Sequence, residues 1–155
     1  MNRALLLSLR GLRDGSPIGA GYFAVSFAFG IQAREALLTV FQTGLLSGTN
    51  LTSAGQFAGL GVIEAGASLL TMALTQLVIN LRYCLMSCAL SQRLAHKAPF
   101  WHRFFIACGV TDEIFAVSIA SSGPIRPAYF YGLTAISWPG WVGGSVLGAL
   151  AGDFL

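Results

Sequence analysis

Charge is what this sequence has least of. Only 10% of its 155 residues are charged and 55% are hydrophobic, whereas ordinary globular domains carry about 25% charged residues. The mean hydropathy is +0.70, and apolar residues recur from end to end instead of collecting in one tail. A water-soluble domain is therefore excluded, and an all-α polytopic membrane helix bundle is expected. At about 20 residues per spanning helix, the length allows five or six crossings at most. Cysteine is scarce too. Cys84, Cys88 and Cys108 make neither an even disulfide set nor a metal knuckle. No histidine or carboxylate stands at ligand spacing to them, so they read as small packing residues, and neither metal nor cofactor is expected. There is no P-loop, no Gly-x-Ser-x-Gly elbow and no Gly-x-Gly-x-x-Gly after a strand. His96 and His102 fall in a basic loop outside the apolar runs, which argues against an intramembrane hydrolase. The chain is not read as an enzyme. A nucleic-acid partner is not expected, and no long coupling segment for an ATPase is present. The formal charge of +3 matters less by its size than by its placement, because Lys and Arg bias orients membrane helices.

Taken in order, residues 1–15 alternate Arg3, Arg10 and Arg13 with leucines, and the apolar run is too short and too broken for a signal peptide. This end reads as a cytoplasmic helix lying on the membrane surface. Pro17 is expected to open the first span, at about 17–33, because a proline N–H would be unpaired at a helix start anyway; Arg34-Glu35 ends it. Residues 36–63 hold an apolar start, then Ser47-Gly48-Thr49-Asn50-Leu51-Thr52-Ser53-Ala54-Gly55-Gln56, then apolar sequence again from Phe57. Helix breakers at membrane depth are tolerated only where they are buried in protein or line a wet cavity, so this segment is expected to be a broken or re-entrant helix. The third run, 65–92, carries Asn80, Arg82 and Tyr83. A basic loop at 93–103 follows, with Phe100 and Trp101 suited to an interfacial belt. Residues 104–121 are expected to be the fourth span. Ser121-Ser122-Gly123-Pro124 punctuates a turn, and the last segment, 127–152, is expected to be interrupted at Ser137-Trp138-Pro139-Gly140. The basic ends at 1–14 and 93–103 both belong inside. An even number of crossings must then separate them, and a re-entrant 36–63 satisfies that. Phe-Ala-Val-Ser occurs at Phe23–Ser26 and again at Phe115–Ser118, a weak sign of an internal repeat.

Three constellations stand out. Asp112 and Glu113 sit in an apolar run, with Arg82 and Glu64 as further ionisable groups. A charge at the centre of a membrane helix costs about 2.5–3.5 kcal/mol. One acid is expected to pair with Arg82, giving an ion pair or proton relay. The other, taken to be Asp112, faces a cavity as a site for a proton or a cationic group. The second constellation is the break at Ser53-Ala54-Gly55-Gln56-Phe57. A helix that restarts there exposes unpaired N–H groups and the positive end of its dipole, a receptor for a carboxylate to which Ser53 and Gln56 can add donors while Gly55 permits close approach. Together these describe a binding site for a zwitterion, with Phe27, Phe23 and Phe115 as apolar wall. The third is the stripe Gly140, Gly144, Gly148 and Gly152, which lets another helix approach at backbone distance.

At these same residues the chain resembles the AzlC (YgaZ-type) family of branched-chain amino acid exporters. The matching pieces are Val25-Ser26-Phe27-Ala28-Phe29-Gly30, Ser53-Ala54-Gly55-Gln56-Phe57, Asn80-Leu81-Arg82-Tyr83, Thr111-Asp112-Glu113-Ile114-Phe115-Ala116 and Ser137-Trp138, in the family's order and at similar spacings. The resemblance implies a multi-pass protein of the cell inner membrane that exports leucine, isoleucine and valine, with methionine as a further substrate. It also implies a partner, a small hydrophobic AzlD-like subunit. The family often has Ser at the position of Gly55 and His at that of Tyr83. Its members continue through further apolar helices after the point where this chain stops, so the chain is expected to lack the C-terminal helices. The alternatives are a non-transporting membrane assembly module and a permease subunit for another small solute.

Overall fold

The computed structural model describes residues 3–94 and 98–154; His96 and Lys97 of the basic loop lie outside them. Seven helices and no strand occupy the described residues: α1 (Arg3–Glu35), α2 (Val40–Thr49), α3 (Ser53–Glu64), α4 (Leu69–Arg93), α5 (Phe100–Cys108), α6 (Asp112–Ala120) and α7 (Pro127–Gly152). The expected all-α architecture is observed, and the second segment is broken, at residues 50–52.

Two prolines do less than the sequence implies. Pro17 does not open a helix, and the described residues 3–15 are not a separate segment, because α1 runs through both for 33 residues. Pro17 cannot donate to the carbonyl of Arg13, and the Ser16 hydroxyl donates to that carbonyl instead, at 2.9 Å. Pro139 likewise lies inside α7 and does not interrupt it. A proline removes one backbone hydrogen bond from a long helix, and packing of the remaining turns holds the helix together. α7 covers residues 127–152, and α1 ends at Glu35. The turn at 121–124 is present, with Gly123 at φ +78°. The two Phe-Ala-Val-Ser strings fall within α1 and within α6.

The chain divides into two units. The first comprises residues 1–19 and 82–137. Its core is Leu90, Ile106, Ile114, Phe130 and Leu133, all buried. The Arg93 guanidinium closes this unit's 121–123 turn by donating to the carbonyls of Ser121 at 2.9 Å and Gly123 at 3.1 Å, while the Arg93 carbonyl accepts from Ile125 N–H at 2.8 Å. The second unit comprises residues 20–81 and 138–155. There the buried Phe29 ring stacks on Trp141 at 6.3 Å and meets Phe57 edge-on at 5.4 Å. Arg34 pairs with Asp153 and donates to the Leu38 carbonyl at 2.7 Å.

In each unit α1 and α7 pack in parallel through small residues. In the first, Gly11 lies against Tyr129 and Gly132, and Gly15 and Gly19 against Leu133 and Ile136. In the second, Gly144 lies against Phe23 and Ser26, Gly148 against Phe27, and Gly152 against Arg34. The glycine stripe of α7 is thus occupied by α1 of the same chain. α4 differs from both. Among the described residues it is the one helix long and apolar enough to cross a membrane, and none of its most apolar stretch is buried. Leu69, Leu77, Val78 and Leu85 stand exposed along it.

A methyl group at Gly148 has nowhere to go, since it meets the Phe27 carbonyl oxygen, whereas one at Gly143 meets nothing within 4 Å. Gly148→Ala is therefore expected to cost about 1–3 kcal/mol through overpacking. Gly143→Ala should be neutral, or gain up to about 1 kcal/mol from helix propensity. Thermal unfolding of the two variants in detergent checks the pair.

Candidate functional site

The first helix break lies between α2 and α3. Asn50 and Thr52 adopt extended backbone, and Thr52 then caps α3. Its hydroxyl accepts from Gly55 N–H at 3.4 Å and its carbonyl accepts from Gln56 N–H at 3.0 Å. The chain turns back here. Ser47 and Gln56 are nine residues apart, about 13 Å along a straight helix, yet their side chains meet at 3.2 Å.

Gln56 is the staple of this turn. It is 2% exposed. Its Oε1 accepts from Trp141 Nε1–H at 3.1 Å and lies 3.2 Å from the Ser47 hydroxyl. Its Nε2 donates to the carbonyls of Leu46, at 3.4 Å, and Asn50. Ser47 also lies 2.7 Å from Ser145 Oγ, and its single proton serves one of these acceptors at a time. Gln56 is thus committed to holding the break and is not the ligand donor expected of it.

Gly55 has a similar outcome. Its carbonyl accepts from Gln76 Nε2 at 2.7 Å, and a Cβ at this position meets Thr52 and Gln76 at 2.8 and 2.9 Å. Asn80 Nδ2 donates to Gln76 Oε1 at 3.0 Å, and the Thr52 hydroxyl lies 3.1 Å from Asn80 Oδ1. The close approach that Gly55 permits is therefore that of the Gln76 side chain of α4. What remains open at the start of α3 is the backbone N–H of Ser53 and of Ala54, together with the Ser53 hydroxyl. None of the three has a hydrogen-bond partner among the described residues. Two convergent N–H groups at the positive end of a helix dipole form a receptor for an oxyanion.

The second break was not legible in the sequence. Residues 104–121 are not one span, because the helix stops at Cys108 and restarts at Asp112. The Gly109 N–H closes α5 by donating to the Phe105 carbonyl at 3.2 Å, and a Cβ at this position would come within 3.2 Å of Phe130 and Thr134. Thr111 caps α6 as Thr52 caps α3: its hydroxyl accepts from Ile114 N–H at 3.3 Å and its carbonyl from Phe115 N–H at 2.8 Å. Asp112 and Glu113 thereby occupy the first turn of a helix instead of its middle. There the dipole favours each by about 0.3–1 kcal/mol, which offsets part of the cost of two adjacent acids in so apolar a run.

The ion pair is Arg82 Nη1 to Asp112 Oδ2, at 2.7 Å. This reverses the expected division, in which Asp112 faced a cavity; Glu113 is the exposed acid of the two. Both partners of the pair are about two-fifths exposed (41% and 43%), so in a solvated setting it contributes no more than about 1 kcal/mol. The Arg82 guanidinium also lies 5.1 Å above the Tyr83 ring. Glu64 closes α3 and makes no ion pair among the described residues. Phe27 is half-buried with its backbone against Gly148, Phe23 is exposed, and Phe115 packs on the core of the first unit. Ser53, Gly55, Gln56 and Phe27 belong to the second unit; Arg82, Asp112 and Glu113 belong to the first. Sequence reasoning missed Thr52, Gln76 and Trp141. The signal for Gln76 was there, since Gln76 and Asn80 are two amides four residues apart on an otherwise apolar helix.

The sequence matches a known family model, described as AzlC protein, over residues 17–155. The chain belongs to the AzlC family. Among its relatives, an uncharacterized membrane protein of Archaeoglobus fulgidus is 35% identical over 146 residues, covering 94% of this chain and 63% of its own length. The inner membrane protein YgaZ of Escherichia coli is 30% identical over 151 residues, covering 95% and 62%. A membrane protein of Helicobacter pylori is 23% identical over 156 residues, covering 94% and 66%. The chain thus spans about two-thirds or less of the length of these relatives. No solved structure matches it. As an AzlC-family chain with membrane-protein relatives, it is an all-α membrane protein.

The two candidate residues of α3 are separable by experiment. Gln56→Leu strands the buried Trp141 N–H and two carbonyls and is expected to cost about 1–3 kcal/mol. Ser53→Ala should stay within about 0.5 kcal/mol of the parent. Thermal unfolding in detergent distinguishes them.

Proposed function

We propose that this AzlC-family chain is the larger subunit of an exporter of branched-chain amino acids: leucine, isoleucine and valine, with methionine as a further substrate. It is a multi-pass protein of the cell inner membrane and works with a small hydrophobic AzlD-like subunit. The observation that carries the reading is the pair of Thr-capped helix breaks, one opening on bare N–H groups and a hydroxyl, the other on two carboxylates. Discontinuous helices that present their N-termini to a substrate carboxylate are a recurring device of transporters. The start of α3 takes the carboxylate of the amino acid. The acidic turn of α6 takes the proton that drives efflux, in a cycle of alternating access.

Helix lengths and charge placement support the topology. α1, α4 and α7, with 33, 25 and 26 residues, are each long enough to cross a hydrocarbon core about 30 Å thick. α2, α3, α5 and α6, with 10, 12, 9 and 9 residues, reach only part of the way at 1.5 Å per residue. Three crossings with two re-entrant pairs keep 1–14 and 93–103 on one side, as the positive-inside rule requires. They also leave α1 and α7 parallel, as their packing within each unit demands. The reading as an assembly module rested on the glycine stripe of α7, and α1 already fills that stripe.

The test is leucine and valine efflux from cells preloaded with dipeptide, with and without the small membrane subunit. Glu113→Gln and Asp112→Asn should each lower efflux at least tenfold while the protein stays in the membrane. Ser53→Ala, losing one hydrogen bond of about 1 kcal/mol, should raise the half-saturating leucine concentration about fivefold. Normal leucine efflux from both acid variants would show that the acids have no part in transport.

A further inference from the structure

The first unit contains seven of the eight arginines: Arg3, Arg10, Arg13, Arg82, Arg93, Arg103 and Arg126. Three of them line one cavity. It has a volume of about 250 Å³ and lies where the start of α1, the 121–126 turn and the start of α7 come together; Arg3, Arg10, Ser122, Arg126 and Tyr129 form its polar wall. A second cavity of about 460 Å³ shares Arg3, Leu7 and Arg126 with the first and continues between Ala4, Pro99 and Ala128, a mainly apolar wall.

The charges around these cavities do not balance. Asp14 is the acid at hand. It lies 3.6 Å from Arg10 and accepts from the Tyr129 hydroxyl at 2.9 Å, so it answers Arg10, whose guanidinium also sits 6.0 Å from the Tyr129 ring centre. Arg3 and Arg126 have no carboxylate within 4 Å among the described residues, and both are exposed. The Ser122 hydroxyl makes no hydrogen bond there either, whereas that of Ser121 is engaged with the Ser118 carbonyl at 2.7 Å. The floor is fixed, because Arg93 holds the 121–123 turn through its carbonyls. Two like charges lining one cavity, with the Ser122 hydroxyl in the same wall and a mainly apolar cavity adjoining, call for an anion that carries hydrocarbon.

We propose that these joined cavities bind an anionic glycerophospholipid, its phosphate between Arg3, Arg126 and Ser122 and an acyl chain along Leu7, Pro99 and Ala128. Guanidinium groups suit phosphate because they present paired donors in one plane, and basic pockets beside membrane helices on the cytoplasmic side bind lipid head groups. The site shares no lining residue with either helix break. It rests in part on Arg3 and Arg10, which precede the segment matched to the family.

The test is native mass spectrometry of the full chain in detergent, titrated with phosphatidylglycerol and with phosphatidylcholine of the same acyl composition. Phosphatidylglycerol should bind at least tenfold more tightly. At about 1 kcal/mol per arginine, Arg3→Gln with Arg126→Gln should weaken it roughly 25-fold, while Arg103→Gln, outside the cavities, leaves it unchanged. If the double variant does not remain monodisperse, Arg126→Gln alone should weaken binding about fivefold by the same reasoning. Equal binding of the two lipids, or an equal loss in Arg103→Gln, overturns the site. Displacement of the lipid by an equal concentration of glycerol phosphate assigns the cavity to a soluble phosphate and overturns the lipid assignment.

Discussion

A helix that stops in apolar surroundings leaves backbone N–H and C=O groups without their helical partners, and each left bare where water cannot reach costs several kcal/mol. The structure meets this constraint twice with the same device. A threonine in extended conformation turns its hydroxyl onto the N–H three residues on, and its carbonyl takes the next one. At the first break the side chains of Gln56 and Gln76 then answer the carbonyls of Leu46, Asn50 and Gly55. The N–H groups of Ser53 and Ala54 and the Ser53 hydroxyl keep no partner among the described residues. At the second break the corresponding turn is filled by Asp112 and Glu113. One architectural solution thus produces two ends of opposite character.

Packing explains why the breaks can be held so tightly. α1 and α7 approach at backbone distance through glycines on both helices, which brings Trp141 of α7 within 3.1 Å of Gln56 and Ser145 within 2.7 Å of Ser47. A stripe of small residues therefore acts on the break indirectly. It sets the position of the α7 side chains that complete the polar cluster around Gln56. Pro139, inside α7 two residues before Trp141, leaves that approach intact.

Much of this was legible in the sequence. Low charge and recurrent apolar runs were enough to read an all-α membrane protein. The hydroxyl-rich run before Phe57 marked the first break, and Arg82 was picked out as a counter-charge for the acids. Other features were hidden for physical reasons. Gly109 and Thr111 are ordinary residues in an apolar run, and a Cβ at Gly109 would crowd Phe130 and Thr134, which only the tertiary structure shows. Pro17 looks like a helix start until the Ser16 hydroxyl is seen to replace the missing donor. Which acid pairs with Arg82 depends on rotation about the α6 axis, which two adjacent carboxylates leave undetermined.

The central claim is that the bare N–H groups at the start of α3 receive the carboxylate of an amino acid. Ala54 is exposed beside them, so a cysteine there, in a chain whose Cys84, Cys88 and Cys108 are replaced by serine, reports on occupancy. The measurement is its rate of labelling by a water-soluble maleimide in membranes containing the small subunit. Leucine should slow labelling in a saturable way, while leucinamide, which keeps the ammonium group and the side chain but lacks the carboxylate, should not. Equal protection by the two compounds, or none by leucine, would contradict the account.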